Sequence, residues 1–558
     1  NFKVLFNGKE IELNEAGNFY YHEELDIGSN VFTIQNKGKT IKYTIIRMVT
    51  VLKGIEPTGD MAIEERSNIV ISANAYRGSN VTAKLNGKTI KLNPTEEQLE
   101  GYENSAYIRY TGIYVAPKGI VNKAQNLGHV VVTGTYKGKD GTPFIMNLTG
   151  GNVTINPLPE VPNNADGSLI VVRNDNTQTF DYLTTNNVAT PDKCRLPAGT
   201  VDYVVKKVTY SGQDWKTSYY LTNSGKRISC SDVNVQENEP LGANNIVAKE
   251  AYIDGGDTVI KISSSIKMPF SMSYGGVNFG ASGEGNFKVQ NFTATSVTFT
   301  FDYSTSASGE LSFPSGSIFS SANWSDTVIN GVNKYQLTLT LSQAGKFNGV
   351  RATYDGEGNL LLRFNGNKNS LSGAVVVLDP GHGIKNGKLD PGGVGHITDQ
   401  AIGLALSKRV EEKLRAEGAT VYRLPTESQE IDVYSRSVVA SQYNPDIFIS
   451  IHGNTAPGSP NATGVEAYYF TPFSQPLAKS LSSAVGNYYT NVAYGGGDHN
   501  RGDKYSYYIV TLDQSFASVL LEVGFVTNYK EAMILNNPQH QDGIANAIVT
   551  GCRNYMSR

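Results

Sequence analysis

AVVVLDPGHG, residues 374–383, is an apolar run followed by a tight turn that carries His382. A continuous apolar run is typical of a strand buried on both faces of a parallel sheet. Downstream, apolar residues recur at a spacing of four from Ile402 to Leu414 and Gly418 follows them, which predicts a helix and its end. A strand followed by such a helix indicates an α/β domain.

The same alternation extends over residues 374–558. Four further segments are predicted strands: TVYRL (420–424), DIFISIH (446–452), GVEAYYF (464–470) and SVLLEVGF (518–525). Helical patterns lie near residues 430–442, 476–490 and 540–556. Ligands of such sheets gather at the carboxyl ends of the strands, so functional side chains are expected there.

Chemically reactive side chains occur at three of these strands. His382 follows the first strand, His452 closes the third, and Glu522 interrupts the apolar run of the fifth. A carboxylate inside an apolar strand is unfavourable unless it is paired, hydrogen-bonded or near a metal. Two histidines and a carboxylate leave an open coordination position, as in a catalytic zinc site. The alternative is that Glu522 faces solvent on an edge strand.

Three motifs resemble those of the zinc-dependent N-acetylmuramoyl-L-alanine amidases of the amidase-3 type: VVLDPGHG (376–383), DIFISIHGN (446–454) and LLEVGFVTN (520–528). Arg436 and the segment NRGDKYSYYIV (500–510) also resemble that family. The resemblance implies Zn²⁺ as cofactor and peptidoglycan as partner. It also implies a hydrolase that cleaves the muramoyl-peptide amide between N-acetylmuramic acid and L-alanine.

The resemblance implies roles for individual residues. His382 and His452 match the two zinc-binding histidines, and Glu522 matches the catalytic glutamate. The family's third ligand is a glutamate at the start of the first helix, where this chain has Asp399, which is shorter but still a legitimate zinc ligand. The alternatives are that Asp399 only caps the helix, or that His396 is the third ligand.

Two further residues are candidate substrate ligands. Arg501 is expected to hold a carboxylate of the stem peptide through a bidentate pair, unless it is only a surface residue. Asn454 is expected to bind substrate or to orient His452. The insertion Ile384–Leu389 departs from the family pattern and is expected to reshape the rim of the site.

Residues 1–366 are predicted to form four β modules, because short alternating runs are separated by turn signals. NGKEIELN (7–14) recurs as NGKTIKLN (86–93), and in both segments Asn-Gly is a signal for a type I′ hairpin turn. This repeat predicts two related β-sandwich modules, at 1–50 and 51–158. The first resembles bacterial Ig-like wall modules, in which an NGK hairpin precedes a Gly-Asn-Phe strand, here residues 17–19.

The proline-rich segment 157–167 is a predicted linker. An SH3-like module follows at 165–238, where Trp215 precedes YYLTNSGKRI (219–228), and an AMIN-like module follows at 240–366. Each module is expected either to bind the wall or to serve as a spacer.

Composition narrows the class of protein. The chain has 48 Lys and Arg against 51 Asp and Glu, a net charge of −3, so a nucleic-acid partner is not expected. No apolar run reaches the roughly 18 residues of a membrane span, so an integral membrane protein is not expected either. The first residues resemble a strand rather than a signal peptide. An upstream segment is therefore expected to have been removed, either by processing or by the choice of the expressed region. The resemblance to the wall amidases implies a secreted protein of the bacterial cell wall.

Three cysteines are too few for a disulfide framework. Cys194 and Cys230 lie in one predicted module and are either a disulfide or two separate thiols. Cys552 lies in a helical pattern and is expected in the core.

The sequence thus predicts a multidomain protein in which all-β modules, β-sandwich and SH3-like, precede a C-terminal α/β zinc amidase domain at 374–558. The alternative is a cell-wall-binding protein whose amidase domain has lost catalysis. Asp399 in place of glutamate is the main argument for that alternative. The presence of His382, His452 and Glu522 argues against it.

Overall fold

In a computed structural model, the chain forms two compact units. One contains Asn1–Gly119, Ala124–Asn156 and Phe279–Phe287, and the other contains Ile120–Lys123, Pro157–Asn278 and Lys288–Arg558. The structure describes residues 3–63, 68–95, 106–117, 119–120, 123–155, 167–181, 194–211, 216–237, 240–281, 287–329 and 331–558. Residues 157–166 of the predicted linker and Trp215 lie outside the described residues. The bounds of the five expected domains stay predictions.

The first unit consists of β-strands in its described part. A four-stranded antiparallel sheet contains, in spatial order, Lys9–Ile11, Val4–Phe6, Gly28–Asn36 and Lys39–Arg47. A larger sheet surrounds a separate apolar core and has the order Asn68–Tyr76, Tyr107–Val115, Lys88–Pro94, Asn80–Leu85, Gln125–Lys137, Pro143–Ile155 and Met61–Ile63. Leu52–Glu56 and Asn278–Ala281 also pair with the first of these strands.

The repeated NGK segments form the two hairpin turns expected from the sequence. Asn7 and Gly8 have φ angles of 48° and 78°, and Asn86 and Gly87 have φ angles of 48° and 74°. Positive φ at both central residues is the signature of a type I′ turn, whose twist matches that of the flanking strands. Those strands pair antiparallel in both hairpins, which confirms the prediction.

The second unit begins with three β-sheets. The first has the order Thr179–Asp181, Lys226–Ser229, Lys216–Thr222, Val201–Ser211, Leu169–Val172 and Val233–Gln236, with a 3₁₀ turn at Cys230–Asp232. The second has the order Ser306–Ser308, Asn245–Asp254, Asp257–Ser263, Leu360–Phe364 and Val350–Tyr354. The third has the order Phe270–Gly275, Ser296–Phe301, Val332–Leu341 and Phe319–Ile329, and the strand Phe287–Asn291 precedes its second strand in the chain.

Aromatic rings join the second and third of these sheets. The ring of Phe364 lies 4.7 Å from that of Phe319 and 5.9 Å from that of Phe299. The two sheets therefore form a sandwich. Cys194 is buried and Cys230 is half-buried, and they are not joined in a disulfide, so the disulfide alternative is not realised; Cys552 is buried as expected.

The C-terminal part is the expected α/β domain. Its sheet has the order Thr420–Arg423, Val375–Pro380, Ile447–Asn454, Ala517–Phe525, Val465–Tyr469 and Asn500–Tyr505. The first four of these strands run parallel, and Val465–Tyr469 runs antiparallel to Ala517–Phe525. Five strands confirm the sequence prediction, whereas Asn500–Tyr505 was not predicted.

Helices cover both faces of this sheet. Asp399–Ala416, Gln475–Tyr488 and Pro538–Met556 pack together on one face. Arg436–Ser441 covers the other through a small core that contains Val377, Ala440, Phe448, Val510, Phe516 and Leu520. Smaller elements are the helix Tyr529–Asn536, the 3₁₀ turns Pro472–Ser474 and Ile509–Thr511, the π turn Tyr489–Ala493, and a hairpin of Gly383–Lys385 with Lys388–Asp390. No helix in the described part of the chain is long and apolar enough to cross a membrane.

The helix predicted near 430–442 is shorter than expected. Tyr434 N donates to the Asp432 carboxylate and Ser435 N donates to the Asp432 carbonyl, each at 2.9 Å. This local turn delays the start of the helix to Arg436.

The β-sheets of the second unit contact the α/β domain at a segment that we call the junction, Asp513–Ser515. Arg195 and Asp513 form an ion pair at 3.1 Å, with only 5% and 0% of their side chains exposed. Gln514 Oε1 accepts a hydrogen bond from Arg195 N at 2.8 Å, and Gln514 O accepts one from Val350 N. Because the junction directly precedes the strand Ala517–Phe525, these contacts hold the beginning of a strand that leads to the site.

Candidate functional site

The turn after the first strand is held from two sides. Arg436 donates to Asp379 Oδ1 at 2.7 Å and to the carbonyls of Pro380 and His382, while the Ser450 hydroxyl donates to Asp379 Oδ2 at 2.6 Å. His382 has a φ of 64°, which is unfavourable for a residue with a side chain. The surrounding hydrogen bonds maintain this conformation and fix the direction of the imidazole.

Two glycines allow the imidazoles to approach each other. A Cβ at Gly381 would lie 2.5 Å from the His452 ring, and one at Gly392 would lie 2.3 Å from the His382 ring. Such distances exclude any larger residue without rearrangement. The centroids of the two imidazole rings are 5.1 Å apart, and the rings are inclined by 78°.

Asp399 bridges the two histidines. Its Oδ2 lies 2.7 Å from His382 Nε2 and 3.2 Å from His452 Nδ1, and its Oδ1 accepts a hydrogen bond from Gly453 N at 2.7 Å. One potential ligand atom from each of His382, Asp399 and His452 lies within 4.8 Å of the others. The structure therefore brings together all three residues that the sequence indicated as a metal site.

The two alternatives, a capping role for Asp399 and His396 as the third ligand, do not match the observed contacts. Thr398 is the helix N-cap, and its hydroxyl accepts a hydrogen bond from Ala401 N at 3.3 Å, so Asp399 is not the capping side chain. His396 is exposed and packs edge-on against the ring of Tyr529, with 5.2 Å between centroids. His396 is not a member of the three-residue group.

Interactions among His382, Asp399 and His452 shift their pKa values in the direction opposite to the effect of burial. Burial alone would lower the pKa of His382 and of His452, but hydrogen bonding to Asp399 raises both above the ordinary value. Burial would raise the pKa of Asp399, yet the two histidines hold it well below its usual range. Without a metal the group therefore tends to keep a proton, which a bound cation has to displace.

Glu522 lies beside this group. It pairs in register with His452 on one side and with Glu466 on the other. Its Oε2 is buried and has no hydrogen-bond partner among the described residues. Burial raises the pKa of Glu522 to about 7. A carboxyl with a pKa near neutrality suits proton transfer, and a divalent cation nearby would lower that pKa.

The two residues predicted to bind substrate share one buried carboxylate. Glu466 accepts a hydrogen bond from Asn454 Nδ2 at 3.1 Å, and it forms ion pairs with Arg501 and with Lys504. Since Glu466 is also paired with Glu522 across the sheet, Asn454 and Arg501 lie on the same side of the domain as the histidines. No sequence pattern indicates that Glu466 connects them.

Asp390 is a member of the site that sequence analysis missed. Its Oδ2 lies 3.2 Å from His382 Nδ1, the imidazole nitrogen that does not face Asp399. A signal was present, because the tetrapeptide LDPG at 378–381 recurs at 389–392, where it contains Asp390. The expected insertion lies between the two copies as the hairpin 383–390, whose turn is held by Glu430.

Glu531 was also missed, although it fixes two strands of the site. Its carboxylate accepts hydrogen bonds from Phe525 N at 2.8 Å, from Gly464 N at 2.9 Å and from the Tyr494 hydroxyl at 2.5 Å. Asn528 caps the helix that begins next and bonds Glu531 N, so the Asn-x-x-Glu spacing was a readable signal.

Comparison with known proteins finds similarity in the C-terminal third of the chain. The Amidase_3 family model, described as N-acetylmuramoyl-L-alanine amidase, matches residues 376–554. "Uncharacterized protein YqiI" of Bacillus subtilis (strain 168) is 32% identical over 190 residues, which are 34% of this chain and 87% of that protein. "N-acetylmuramoyl-L-alanine amidase LytC" of the same strain is 32% identical over 193 residues, 34% of this chain and 36% of that protein. Among solved structures, the amidase AmiC2 of Nostoc punctiforme is 28% identical, with 34% of this chain and 99% of that chain covered and a TM-score of 0.30.

Proposed function

This chain belongs to the N-acetylmuramoyl-L-alanine amidase family, and from that premise we propose that it is a secreted zinc hydrolase of peptidoglycan. It cleaves the amide between the lactyl group of N-acetylmuramic acid and L-alanine. The observation that carries the proposal is the convergence of His382, Asp399 and His452, with Glu522 in register beside His452.

The donor set fits zinc. Two imidazole nitrogens and a carboxylate oxygen within 4.8 Å of one another are the ligand types of a catalytic zinc with an open position. Beside them, Glu522 Oε2 is a buried polar atom without a hydrogen-bond partner among the described residues, and a water held in the site would satisfy it. His382, Asp399 and His452 would hold the zinc, which when bound would supply Lewis-acid chemistry for activating water and the scissile carbonyl.

In this mechanism, Glu522 transfers the proton of the attacking water. Glu522 accepts it from the attacking water and delivers it to the amide nitrogen as the C–N bond breaks, so that the products are a carboxylate and a free L-alanine amine. Asp390 holds the His382 ring through its Nδ1 atom, which does not face Asp399. The hydrogen bond from Arg436 to Asp379 holds the turn that carries His382. These contacts keep the ligands in place while the proton moves.

The substrate contacts follow from the Glu466 network. Glu466 orients Arg501 toward a carboxylate of the stem peptide and orients Asn454 toward a peptide carbonyl. The β modules of residues 1–366 bring this site to the wall, either as binding modules or as spacers.

The test is an analysis of products from purified peptidoglycan treated with the full chain. We expect free L-alanine amines, detected by amine labelling, with no new reducing sugar ends. A chelator should abolish amine release and added zinc should restore it. New reducing ends without amines would indicate a glycosidase instead, and wall binding without any release would indicate the non-catalytic alternative. A metal-free chain that remains active would contradict the assigned role of zinc.

A further inference from the structure

A cleft of about 480 Å³ lies outside the zinc cluster, within the second unit. Two short segments of the β-sheets form one wall, Asn291–Thr293 and Gln343–Lys346. The opposite wall is the beginning of the helix Gln475–Tyr488 together with the end of the chain near Arg558. Neither the three potential zinc ligands nor Glu522 and Glu466 line this cleft.

The charged side chains that line the cleft are all cationic: Lys346, Lys479 and Arg558. Lys346 is only 6% exposed, yet its Nζ makes no hydrogen bond or ion pair to any described residue. Burial and the nearby Arg558 both lower the pKa of Lys346. Among the described residues, Lys346 Nζ does not belong to the fully buried polar atoms that lack a partner, so the ammonium reaches the cleft and can meet an anion there.

Arg558 is held in a fixed orientation. It donates to Asn348 Oδ1 at 2.6 Å and to the Tyr555 carbonyl at 2.8 Å, and its guanidinium lies 3.9 Å from the centre of the Tyr555 ring. No aspartate or glutamate is among the residues that line the cleft. The second cation is therefore positioned in advance, with no acidic side chain in the cleft to neutralise it.

The remaining polar lining is neutral. Thr293, Gln475 and Ser480 already make hydrogen bonds within the protein, and the other neutral polar residues of the lining are Asn291, Gln343, Ser483 and Asn554. Amides and hydroxyls around a small cationic centre suit a ligand with many hydroxyl groups and one acidic group. The volume is also several times that of a single inorganic anion.

We propose that this cleft binds an anionic polyol or sugar unit, whose phosphate or carboxylate group lies against Lys346, with Lys479 and Arg558 beside it. Because none of these residues takes part in hydrolysis, the site binds its ligand whether or not zinc is present. The cleft thus gives the second unit a second point of attachment to acidic material, separate from the groove in which the amide is cut.

Calorimetric titration of the full chain tests the proposal with three probes: glycerol 1-phosphate, D-glucuronate and neutral glycerol. We expect saturable binding of at least one acidic probe at one site per chain, weakened by added NaCl, and no binding of glycerol. Lys346→Met should weaken binding at least tenfold. Lys249→Met, which removes an exposed lysine on a β-strand, should leave it unchanged.

The pattern of probes identifies the acidic group. Binding of glycerol 1-phosphate alone assigns a phosphate, binding of glucuronate alone assigns a carboxylate, and binding of both assigns an anion site of broad selectivity. Arg558→Gln provides an independent variant if Lys346→Met does not fold, which its thermal unfolding would reveal, and it should also weaken binding about tenfold. Failure of both acidic probes, or full-strength binding by whichever of these variants folds, would overturn the proposal.

Discussion

Glu522 and His452 occupy paired positions on two neighbouring parallel strands, Ala517–Phe525 and Ile447–Asn454. Main-chain hydrogen bonds of the sheet therefore fix the candidate base relative to a candidate ligand. Asp399 and Asp390 reach the same cluster from outside the sheet, one from a helix and one from a hairpin. Substitutions at these positions therefore make it possible to measure the contributions to metal binding, proton transfer and folding separately.

Glu522→Gln should lower amidase activity by about 10²–10⁴-fold, because it keeps the side-chain volume but removes the proton acceptor. Zinc content, measured by elemental analysis of the purified chain, should not change. Glu412→Gln, an exposed glutamate on the first helix, is the matched control and should retain full activity. Loss of zinc from the Glu522 variant would make Glu522 a ligand and would contradict its role as a base.

Asp399→Ala should abolish stoichiometric zinc binding, whereas Asp399→Glu should retain much of it, since it restores the ligand type of the family. Thr398→Ala removes the actual helix cap and should cost about 0.5–2 kcal/mol of stability with zinc still bound. Equilibrium zinc titration with thermal unfolding measures both effects. If His396→Ala empties the site while Asp399→Ala does not, the third ligand has been assigned wrongly.

Asp390→Asn should weaken zinc binding or activity by about 10–100-fold, the usual effect of losing a carboxylate that orients a ligating histidine. A competitive chelator titration gives the affinity directly. Asp326→Asn, at an exposed position of a β-strand, serves as the control. Unchanged affinity in the Asp390 variant would show that the hairpin contributes only to the rim.

Arg195→Met should destabilise the second unit by about 3–5 kcal/mol, because it leaves the buried Asp513 carboxylate without its partner. Arg553→Met breaks the exposed pair with Glu417 and should cost only about 0–1 kcal/mol. Urea unfolding of both variants measures the difference. Equal and small losses would mean that the junction pair does not stabilise the folded chain.

Asp202 makes the stability of the β region depend on pH. It is buried in the strand Val201–Ser211, where it accepts hydrogen bonds from Ser224 and Tyr303, and burial raises its pKa from 3.8 to about 6. A carboxyl with a raised folded-state pKa binds its proton more tightly in the folded state. The folded state therefore gains stability as the pH falls from about 6 toward 4, and loses it as the pH rises through that window.

Asp202→Asn removes this dependence. The free energy of unfolding of the parent should fall, relative to that of the variant, by about 2 kcal/mol between pH 4 and pH 7, since one pKa unit corresponds to about 1.4 kcal/mol and part of the effect lies below pH 4. Parallel stability profiles of the two proteins over that range would contradict the prediction. Urea unfolding at several pH values makes the comparison.

The parts of the site that could be predicted are those at which periodicity and chemistry coincide. His382, His452 and Glu522 stand at strand positions that apolar runs identify, so their meeting at one edge followed from parallel pairing. Asp399 was found only through the family resemblance, by counting back from Leu404 to the position at which the family has its glutamate ligand. The first and last helices of the domain were found because their apolar faces are long and regular.

The rest depends on contacts between segments that are remote in the chain. Asn500–Tyr505 has no apolar alternation, because its side chains serve Glu466 and the sheet edge rather than a core. The bond from Asp390 to His382 depends on how a hairpin folds back. The Arg195–Asp513 pair joins residues 318 positions apart, and no local pattern indicates such a pairing.

The junction limits how this protein can be recombined. On one side, the residues of the junction are hydrogen-bonded to the β-sheets. On the other side, they lead into the strand Ala517–Phe525, which contains Glu522. Phe473 of the α/β domain also lies fully buried, with its ring 5.2 Å from that of Phe347. A chimaera that joins residues 374–558 to a foreign targeting domain would expose these surfaces to water. The part of the chain that can be fused to another domain without exposing these surfaces is therefore the α/β domain together with the β-sheets from residue 167 onward.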